Sequence, residues 1–235
     1  MPVDFSHHPA MTGLDPSSRS WLSPRDLPRF AGETLFDRVA QVVCAAHCLP
    51  RKELYESWAV ARRVRRRLRG GRVVDLAAGH GLTACLLLLL DDSSESALAV
   101  DTRLPASAAR LLTGMVERWP RMRDRVSLVE QDLDTVRLSA SDLVVSVHAC
   151  GALTDRVIER AVQVRARVAV LPCCHDEETC DTGGLLGWLD VGMAVDTTRA
   201  LRLRERGYQV HTQLIPEEIT PKNRLLIAQP VDEPR

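Results

Sequence analysis

The sequence is poor in aromatic residues, carries no net charge and has no long apolar run. Only four Trp, two Tyr and three Phe are present, which argues against a platform that stacks the bases of single-stranded nucleic acid. Lys plus Arg and Asp plus Glu both number 31, so the overall charge gives no indication of a polyanionic partner. The leucine run from Leu86 to Leu90 is far shorter than the ~20 residues that a membrane-spanning helix needs.

The sequence pattern also lacks a secretion signal and a disulfide framework. Residues Met1 to Ala10 do not show the basic and then apolar order of a signal peptide. The seven cysteines are odd in number, Cys173 and Cys174 are adjacent, and a chain of 235 residues can be stable without disulfides. These observations predict a soluble cytoplasmic protein with free thiols.

Three regions are predicted along the chain. Residues 1–32 are rich in Pro, Ser and His, and we expect them to form a loosely ordered arm. Residues 33–70 have apolar positions at helical spacing and predict two helices, the second from about Lys52 to Leu68. Residues 71–235 alternate between short β-branched runs and helical stretches, which is typical of a parallel sheet with helical crossovers.

This third region predicts an α/β domain with a Rossmann-like, mostly parallel sheet. The predicted strands are Arg72 to Leu76, Ala97 to Asp101, Arg125 to Glu130, Asp142 to Val147, Arg167 to Leu171, Tyr208 to Ile215 and Asn223 to Gln229. The predicted helices are Leu82 to Leu90, Pro105 to Trp119, Thr154 to Val164 and Leu185 to Arg206. Because a short connection joins the last two strands, we expect them to be antiparallel neighbours.

The turn after the first predicted strand is the first candidate ligand site. The segment from Val73 to Leu82 is a buried strand, a turn of small residues and the start of a helix, an order that lets backbone amides approach a ligand. Residues Gly79 to Ala84 fit the G-x-G-x-x-[GA] dinucleotide fingerprint, with Asp101 in the ribose position, which would indicate an NAD-binding oxidoreductase. Asp75 would repel a pyrophosphate, however, and would suit a cationic ligand.

The same turn resembles the first motif of class I S-adenosylmethionine-dependent methyltransferases. The matching residues are Asp75, Ala77, Gly79 and Gly81, with Ala77 in place of the usual first glycine. The resemblance implies a class I methyltransferase fold for residues 71–235 and S-adenosylmethionine, which carries a sulfonium and an ammonium, as the cofactor. It also implies that Asp101 accepts both ribose hydroxyls and that Asp132 lies beside the adenine amino group.

A second group of candidate residues follows the fourth and fifth predicted strands. Its members are His148, Cys150, Cys173, Cys174 and His175. Because ligands bind outside the carboxyl ends of parallel strands, we expect the group beside the reacting methyl, with His148 also lining the cofactor site. The His-x-Cys-Gly and Cys-Cys-His sequences resemble a branch that includes tRNA ribose 2'-O-methyltransferases and the methyltransferase-like region of glutathione S-transferase C-terminal-domain-containing proteins. Asp176 stands where the tRNA enzymes have a second His.

The chemistry predicted at this second group is methyl transfer to an oxygen. The Asn-Pro-Pro-Tyr type of motif that holds an exocyclic nitrogen is missing after the fourth strand. An imidazole with a pKa of about 6.5 can take the proton of an attacking hydroxyl, so His148 and His175 are both candidate general bases. The cysteines could fill space beneath the ligand or, with the histidines, bind a metal. We predict no metal, because adjacent cysteines are not expected to point into one tetrahedron.

An arginine-rich helix end is the remaining feature that bears on partners. Its arginines are Arg62, Arg63, Arg65, Arg66, Arg67 and Arg69. A solvated helix face explains them, and contact with RNA phosphates is the alternative. The acceptor is therefore unknown from the sequence: RNA is one candidate, and a small-molecule hydroxyl or a protein side chain fits the zero net charge equally well. A methyltransferase fold that binds a ligand or partner without catalysis is a further alternative.

Overall fold

The structure is a computed structural model that describes residues 14–231; predictions for residues 1–13 and 232–235 lie outside the described residues. Six α-helices are present in this part of the chain: α1 Leu35–Ala46, α2 Arg51–Arg65, α3 Leu82–Leu89, α4 Ala108–Arg118, α5 Ala152–Gln163 and α6 Val191–Glu205. Seven strands accompany them: β1 Val73–Leu76, β2 Ala97–Asp101, β3 Val126–Glu130, β4 Leu143–Ser146, β5 Arg167–Val170, β6 Tyr208–Leu214 and β7 Arg224–Pro230.

The strands form one sheet in the order β3-β2-β1-β4-β5-β7-β6. Strands β1 to β5 are parallel, whereas β7 is antiparallel to both β5 and β6. Helices cover both faces, and two apolar clusters lie between the helices and the sheet. This architecture confirms the predicted α/β class, the parallel sheet and the antiparallel pairing of the last two strands.

The strand order reverses between β1 and β4, which creates a crevice at their carboxyl ends. From β1 the chain builds outward to β2 and β3 on one side, and later returns to place β4 and β5 on the other. Open α/β sheets bind ligands at such a switch point. Both sequence motifs follow strands that end at this edge, so the fold brings the turn after β1 and the residues after β4 and β5 to the same side of the sheet.

Several predicted boundaries differ from the structure by a few residues, and the largest difference is at α6. The helix predicted from Leu185 to Arg206 is instead a short 3-10 turn at Leu185–Gly187 followed by α6. The carboxylate of Asp190 accepts a hydrogen bond from the Met193 amide at 3.0 Å, which is the cap that starts α6. The helix predicted to reach Leu68 ends at Arg65.

Residues 14–32 are packed against the helices, unlike the loosely ordered arm that composition predicts. A 3-10 helix occupies Pro24–Phe30, and both Leu22 and Phe30 are buried. The Leu22 amide donates to the Leu49 carbonyl oxygen at 2.9 Å, which fixes this segment across the α1–α2 connection. Isolated apolar side chains without periodicity carry this packing, which is why the pattern did not indicate it.

None of the helices in residues 14–231 is both long and apolar enough to cross a bilayer.

Candidate functional site

The turn between β1 and α3 uses left-handed backbone at three positions. Ala77, Gly79 and Gly81 have φ of +56°, +55° and +74°. A Cβ added to Gly79 would meet no heavy atom within 4 Å, so the space beside this residue is open. A Cβ added to Gly81 would lie 3.0 Å from Ala99 and Leu128 side-chain atoms, so the turn packs tightly onto β2 and β3 there. The turn is thus closed towards the sheet and open towards the crevice.

Ala77 is a strained residue in this turn. A left-handed conformation costs a non-glycine residue about 1–2 kcal/mol, because the Cβ crowds the backbone. The first motif of class I methyltransferases, which this turn resembles, usually has glycine at this position. The positive φ explains that preference, because glycine adopts it without strain. The substitution by alanine therefore stores strain at the mouth of the candidate site.

Asp75 does not act as a surface charge beside the turn. Its side chain lies beneath the turn with the residue only 1% exposed, and its Oδ2 accepts a hydrogen bond from the Ala84 amide of α3 at 3.2 Å. Burial, opposed by that hydrogen bond and assisted by the nearby Asp101, raises the pKa of Asp75 to about 8. A raised pKa favours the uncharged carboxyl, so in the free chain the electrostatic argument that Asp75 attracts a cation and repels a pyrophosphate loses force.

Asp101 links the end of β2 to the turn. Its Oδ2 accepts a hydrogen bond from the Gly79 amide at 2.9 Å, and its Oδ1 accepts from the Arg103 amide at 3.2 Å. Asp132 follows β3 and is 55% exposed in its side chain, where Oδ1 lies 3.3 Å from the Arg156 guanidinium of α5. Asp101 therefore adjoins the open space beside Gly79, whereas the Asp132 side chain is directed towards α5.

His148 follows β4 and lies in a partly buried position at the same edge. Burial lowers the pKa of His148 to about 4. Lys52 and His80 also lower this pKa, whereas the negative charge of Asp101 raises it. The imidazole is therefore neutral at physiological pH. Because β4 ends at Ser146, His148 lies at the carboxyl edge of the sheet, and the groups that act on it come from α2, the β1–α3 turn and the end of β2.

His175 follows β5 and is buried against α6. Its Nε2 lies 2.8 Å from Asp196 Oδ1 on α6, and its side chain is 2% exposed. Asp196 also accepts from Arg224 Nε at 2.7 Å and from Arg199 at 3.3 Å. Burial tends to raise the pKa of Asp196, but the His175 and Arg224 hydrogen bonds hold it below its usual value. His175 is therefore part of a buried hydrogen-bond network with Asp196, and its role as a general base stays a prediction that this burial does not favour.

The three cysteines after β4 and β5 form one thiol cluster, Cys150, Cys173 and Cys174. The Sγ atoms of Cys150 and Cys173 are 2.9 Å apart, those of Cys173 and Cys174 are 3.8 Å apart, and all three lie within 4.8 Å of one another. Burial raises the pKa of the Cys150 and Cys173 thiols. The argument that adjacent cysteines cannot face one point is wrong, because the two neighbouring thiols and the third converge.

Helix α2 also contacts the start of α3, which the sequence did not indicate. Thr83 Oγ1, in the first turn of α3, donates to Ser57 Oγ at 3.2 Å and so joins the two helices. Glu56 is 4% exposed and pairs with Lys52 at 2.6 Å. Burial, followed by the charge of Glu56, raises the pKa of Glu53 to about 7. These acids have the pattern of an ordinary helix start, so only their burial reveals them.

The arginine-rich end of α2 lies away from this edge. Arg65 is 3% exposed and donates to the Leu87 carbonyl oxygen and to Ser94 Oγ, both at 2.8 Å, and it pairs with Asp91. Arg167, the first residue of β5, donates to the carbonyl oxygen of Arg69. The end of α2 therefore adjoins the amino ends of the strands, opposite the crevice. For Arg65, which is an internal structural group, both the predicted solvated helix face and the alternative of phosphate contact are wrong.

A family model described as "Methyltransferase domain" matches residues 52–180, more than half of the chain. The match covers α2, the turn after β1, and the loops that carry His148 and the thiol cluster. The matched residues therefore include strands β1 to β5 and the loops at the sheet edge described above.

Two curated relatives are longer proteins. The chain is 23% identical to a glutathione S-transferase C-terminal domain-containing protein of Xenopus laevis over 199 residues, 69% of this chain and 30% of that protein. It is 30% identical to the homologous protein of Drosophila melanogaster over 124 residues, 36% of this chain and 21% of that protein. The chain thus spans less than a third of the length of these relatives.

Solved structures agree with the fold. The pyocyanin biosynthetic protein PhzM matches with a TM-score of 0.51 and 20% identity, over 77% of this chain and 58% of that one. The B. subtilis M1A22 tRNA methyltransferase TrmK matches with a TM-score of 0.50 and 14% identity, over 74% of this chain and 66% of that one. At these identities the likeness concerns the fold.

Proposed function

This chain belongs to the family described as methyltransferase domain, and on that premise we propose that it transfers a methyl group from S-adenosylmethionine to a hydroxyl oxygen. The observation that carries the proposal is the turn after β1, which is open beside Gly79 and is held there by Asp101. It lies at the switch point of the sheet, where open α/β folds bind nucleotides.

The turn and the end of β2 would hold the cofactor. Gly79 lets the ligand approach the backbone because no side chain fills the space beside it. Asp101 would accept the ribose hydroxyls, since a carboxylate makes strong charge-assisted hydrogen bonds with such donors. Asp132 would reach the adenine amino group by turning from Arg156, and its exposure leaves it free to do so. The buried Asp75 would position α3 through the Ala84 amide.

Discrimination against NAD then comes from shape and from Asp101 more than from Asp75. A pyrophosphate needs several free amides at the helix start. Here the Gly79 amide is already engaged by a carboxylate, so that donor is withdrawn from a phosphate. S-adenosylmethionine has no phosphate to place at this point and supplies, when bound, an electrophilic methyl group.

His148 is the residue of this chain that would act on the acceptor. A hydroxyl loses its proton as its oxygen attacks the methyl carbon, and a neutral imidazole can take that proton. Because the pKa of His148 is lowered to about 4, the imidazole is already unprotonated at any pH near neutrality. His175 would not take part, since its ring is bonded to Asp196 inside the protein.

RNA remains one class of acceptor to be tested, without a role for the arginine-rich end of α2. Those arginines adjoin the amino ends of the strands. The Arg65 guanidinium already donates to Leu87 and Ser94 and pairs with Asp91. An acceptor, whether RNA or a small molecule, would have to be held at the opposite edge, beside His148 and the loops after β4 and β5.

The experiment is transfer of a labelled methyl group from S-adenosylmethionine to cellular RNA and, separately, to a small-molecule extract. The proposal expects label in one fraction, on an oxygen, and weaker labelling with Asp101→Ala when S-adenosylmethionine is not saturating. Binding of S-adenosylhomocysteine without labelling of either fraction, or of protein, would indicate a non-catalytic binding protein instead. Label found on nitrogen would contradict the hydroxyl acceptor and the part given to His148.

A further inference from the structure

We infer that the thiol cluster binds one thiophilic divalent cation, with Zn²⁺ as the natural candidate. Cys150 comes from the loop after β4, and Cys173 and Cys174 come from the loop after β5. The site joins two loops at the reacting edge of the sheet, and it is distinct from the residues proposed to hold the cofactor.

The spacing of the sulfur atoms supports a tetrahedral metal site. Thiolates at about 2.3 Å from Zn²⁺ in a tetrahedron lie about 3.8 Å from one another. Cys173 and Cys174 already have this separation, at 3.8 Å. Cys150 is closer to Cys173, at 2.9 Å, so its side chain would have to move outward by about 1 Å for the third bond. An exposed residue in a loop can make such a shift.

The exposure of the cluster sets it apart from the other cysteines. Cys44, Cys48, Cys85 and Cys180 are buried, as is usual for cysteines that fill space in a core. Cys150 and Cys174 are exposed and Cys173 is half-buried, so packing does not account for them. Exposure also provides the entry path that a metal needs.

The contacts of the cluster favour a metal over a free nucleophilic thiolate. Reactive cysteines are usually found near Lys, Arg, His⁺ or a helix start that stabilises the thiolate. Within the part of the chain that the structure describes, the only side-chain hydrogen bonds of Cys150 and Cys174 are those with Cys173, and Cys173 otherwise contacts the Ala149 carbonyl oxygen. A divalent cation would supply the missing positive charge, and its binding by three thiols would release up to three protons to solvent.

Three thiolates leave one coordination position open. Among residues 14–231 the cluster has no fourth His, Cys, Asp or Glu ligand atom. Metal sites that keep an open position accept water or another small ligand there. A position of this kind, at the edge where His148 lies, could receive an oxygen ligand from solvent or from the acceptor.

The test is a cobalt titration of the reduced, metal-free chain under anaerobic conditions, without cofactor or acceptor. We expect thiolate-to-cobalt charge-transfer absorption that saturates at one equivalent and disappears when Zn²⁺ is added. Cys150→Ser and Cys174→Ser, at exposed positions where the fold should tolerate the change, should each weaken Co²⁺ binding by at least tenfold. Cys180→Ser, in the same loop but outside the cluster, is the matched control and should bind as the wild type.

Two results would overturn the inference. One is the lack of saturable charge-transfer absorption in folded, reduced protein, or its persistence at full strength in the Cys150 and Cys174 variants. The other is a disulfide between Cys150 and Cys173 formed in air by a chain that, once reduced, binds no metal; the cluster would then be a redox pair. Because the titration requires no methyl transfer, its failure and the failure of the proposed function are independent.

Discussion

The carboxylate of Asp101 accepts a hydrogen bond from the backbone amide of Gly79 at 2.9 Å. This contact joins the end of β2 to the turn after β1 at Gly79, where an added Cβ would meet no heavy atom within 4 Å. A carboxylate that both shapes a turn and faces the space beside it is well placed to bind a hydroxyl-bearing ligand, and several consequences can be measured.

Replacing Asp101 by Ala should weaken S-adenosylhomocysteine binding by about 1–3 kcal/mol, roughly 5- to 150-fold, because the charge-assisted bonds to the ribose would be lost. Calorimetry with a folded variant measures this. Asp134→Ala is the control, since Asp134 is an exposed neighbour of Asp132 that pairs with Arg156. Equal losses of affinity in both variants would show that Asp101 has no special role.

Replacing Ala77 by Gly should raise the free energy of unfolding by about 1 kcal/mol, because glycine adopts the left-handed conformation without a Cβ clash. Gly81→Ala should do the opposite, since it combines a positive φ with 3.0 Å contacts to Ala99 and Leu128. Denaturant unfolding of both variants measures the pair. A destabilised Ala77→Gly chain would mean that the strain at Ala77 is not real.

Asp75 should make the folded chain less stable as pH rises. Its folded pKa of about 8 lies above the unfolded value of about 3.9, so the native state holds an extra proton between them. Stability from this group is complete below about pH 4 and is lost towards pH 8, by up to about 1.4 kcal/mol per pH unit.

Asp75→Asn keeps an acceptor for the Ala84 amide and removes the titration. The difference in unfolding free energy between the variant and the wild type should therefore grow in favour of the variant as pH rises from 4 to 8. Other titrating groups cancel in this difference. A difference that stays constant with pH would show that Asp75 is ionised in the folded chain.

His148 should have a catalytic role and His175 a structural one. His148→Asn should lower turnover by about 10²–10⁴ with little change in cofactor affinity, because general-base catalysis is lost. In the wild type, protonation of His148 should reduce kcat/KM only as pH approaches about 4, below the ordinary histidine value, because burial lowers its pKa. An acid limb near pH 6.5 that disappears in His148→Asn would contradict the burial.

His175→Asn should lower the free energy of unfolding by about 1–3 kcal/mol, because Asp196 would lose its 2.8 Å partner in a buried site. Turnover of the folded variant should stay within a few-fold of the wild type. A large loss of turnover at unchanged stability would show that His175 takes part in catalysis.

The sequence predicted the parts of the fold that depend on local periodicity. The predicted and observed bounds of β2 are identical, Ala97 to Asp101, and those of α3 differ by one residue. Both elements are marked by local hydrophobic patterns, which the sequence alone contains. The position of α6 was less accurate, since the capping role of Asp190 competes with a continuous apolar pattern.

The state of the site depends on contacts that the sequence pattern does not contain. His175 is bonded to Asp196, which is 21 residues away in the sequence, and Asp196 is also bonded to Arg224, a further 28 residues on. The charge of Asp75 is decided by its burial beneath α3, and the convergence of the thiols by the packing of two loops. Such effects follow from tertiary structure, so the residues were predictable and their roles were not.

The most direct test of the account is calorimetric titration of the wild-type chain with S-adenosylhomocysteine and, separately, with NAD. The account predicts one S-adenosylhomocysteine bound per chain, weakened by Asp101→Ala, and no measurable heat with NAD. Tight binding of NAD together with no response to S-adenosylhomocysteine would contradict the proposed cofactor and, with it, the proposed reaction.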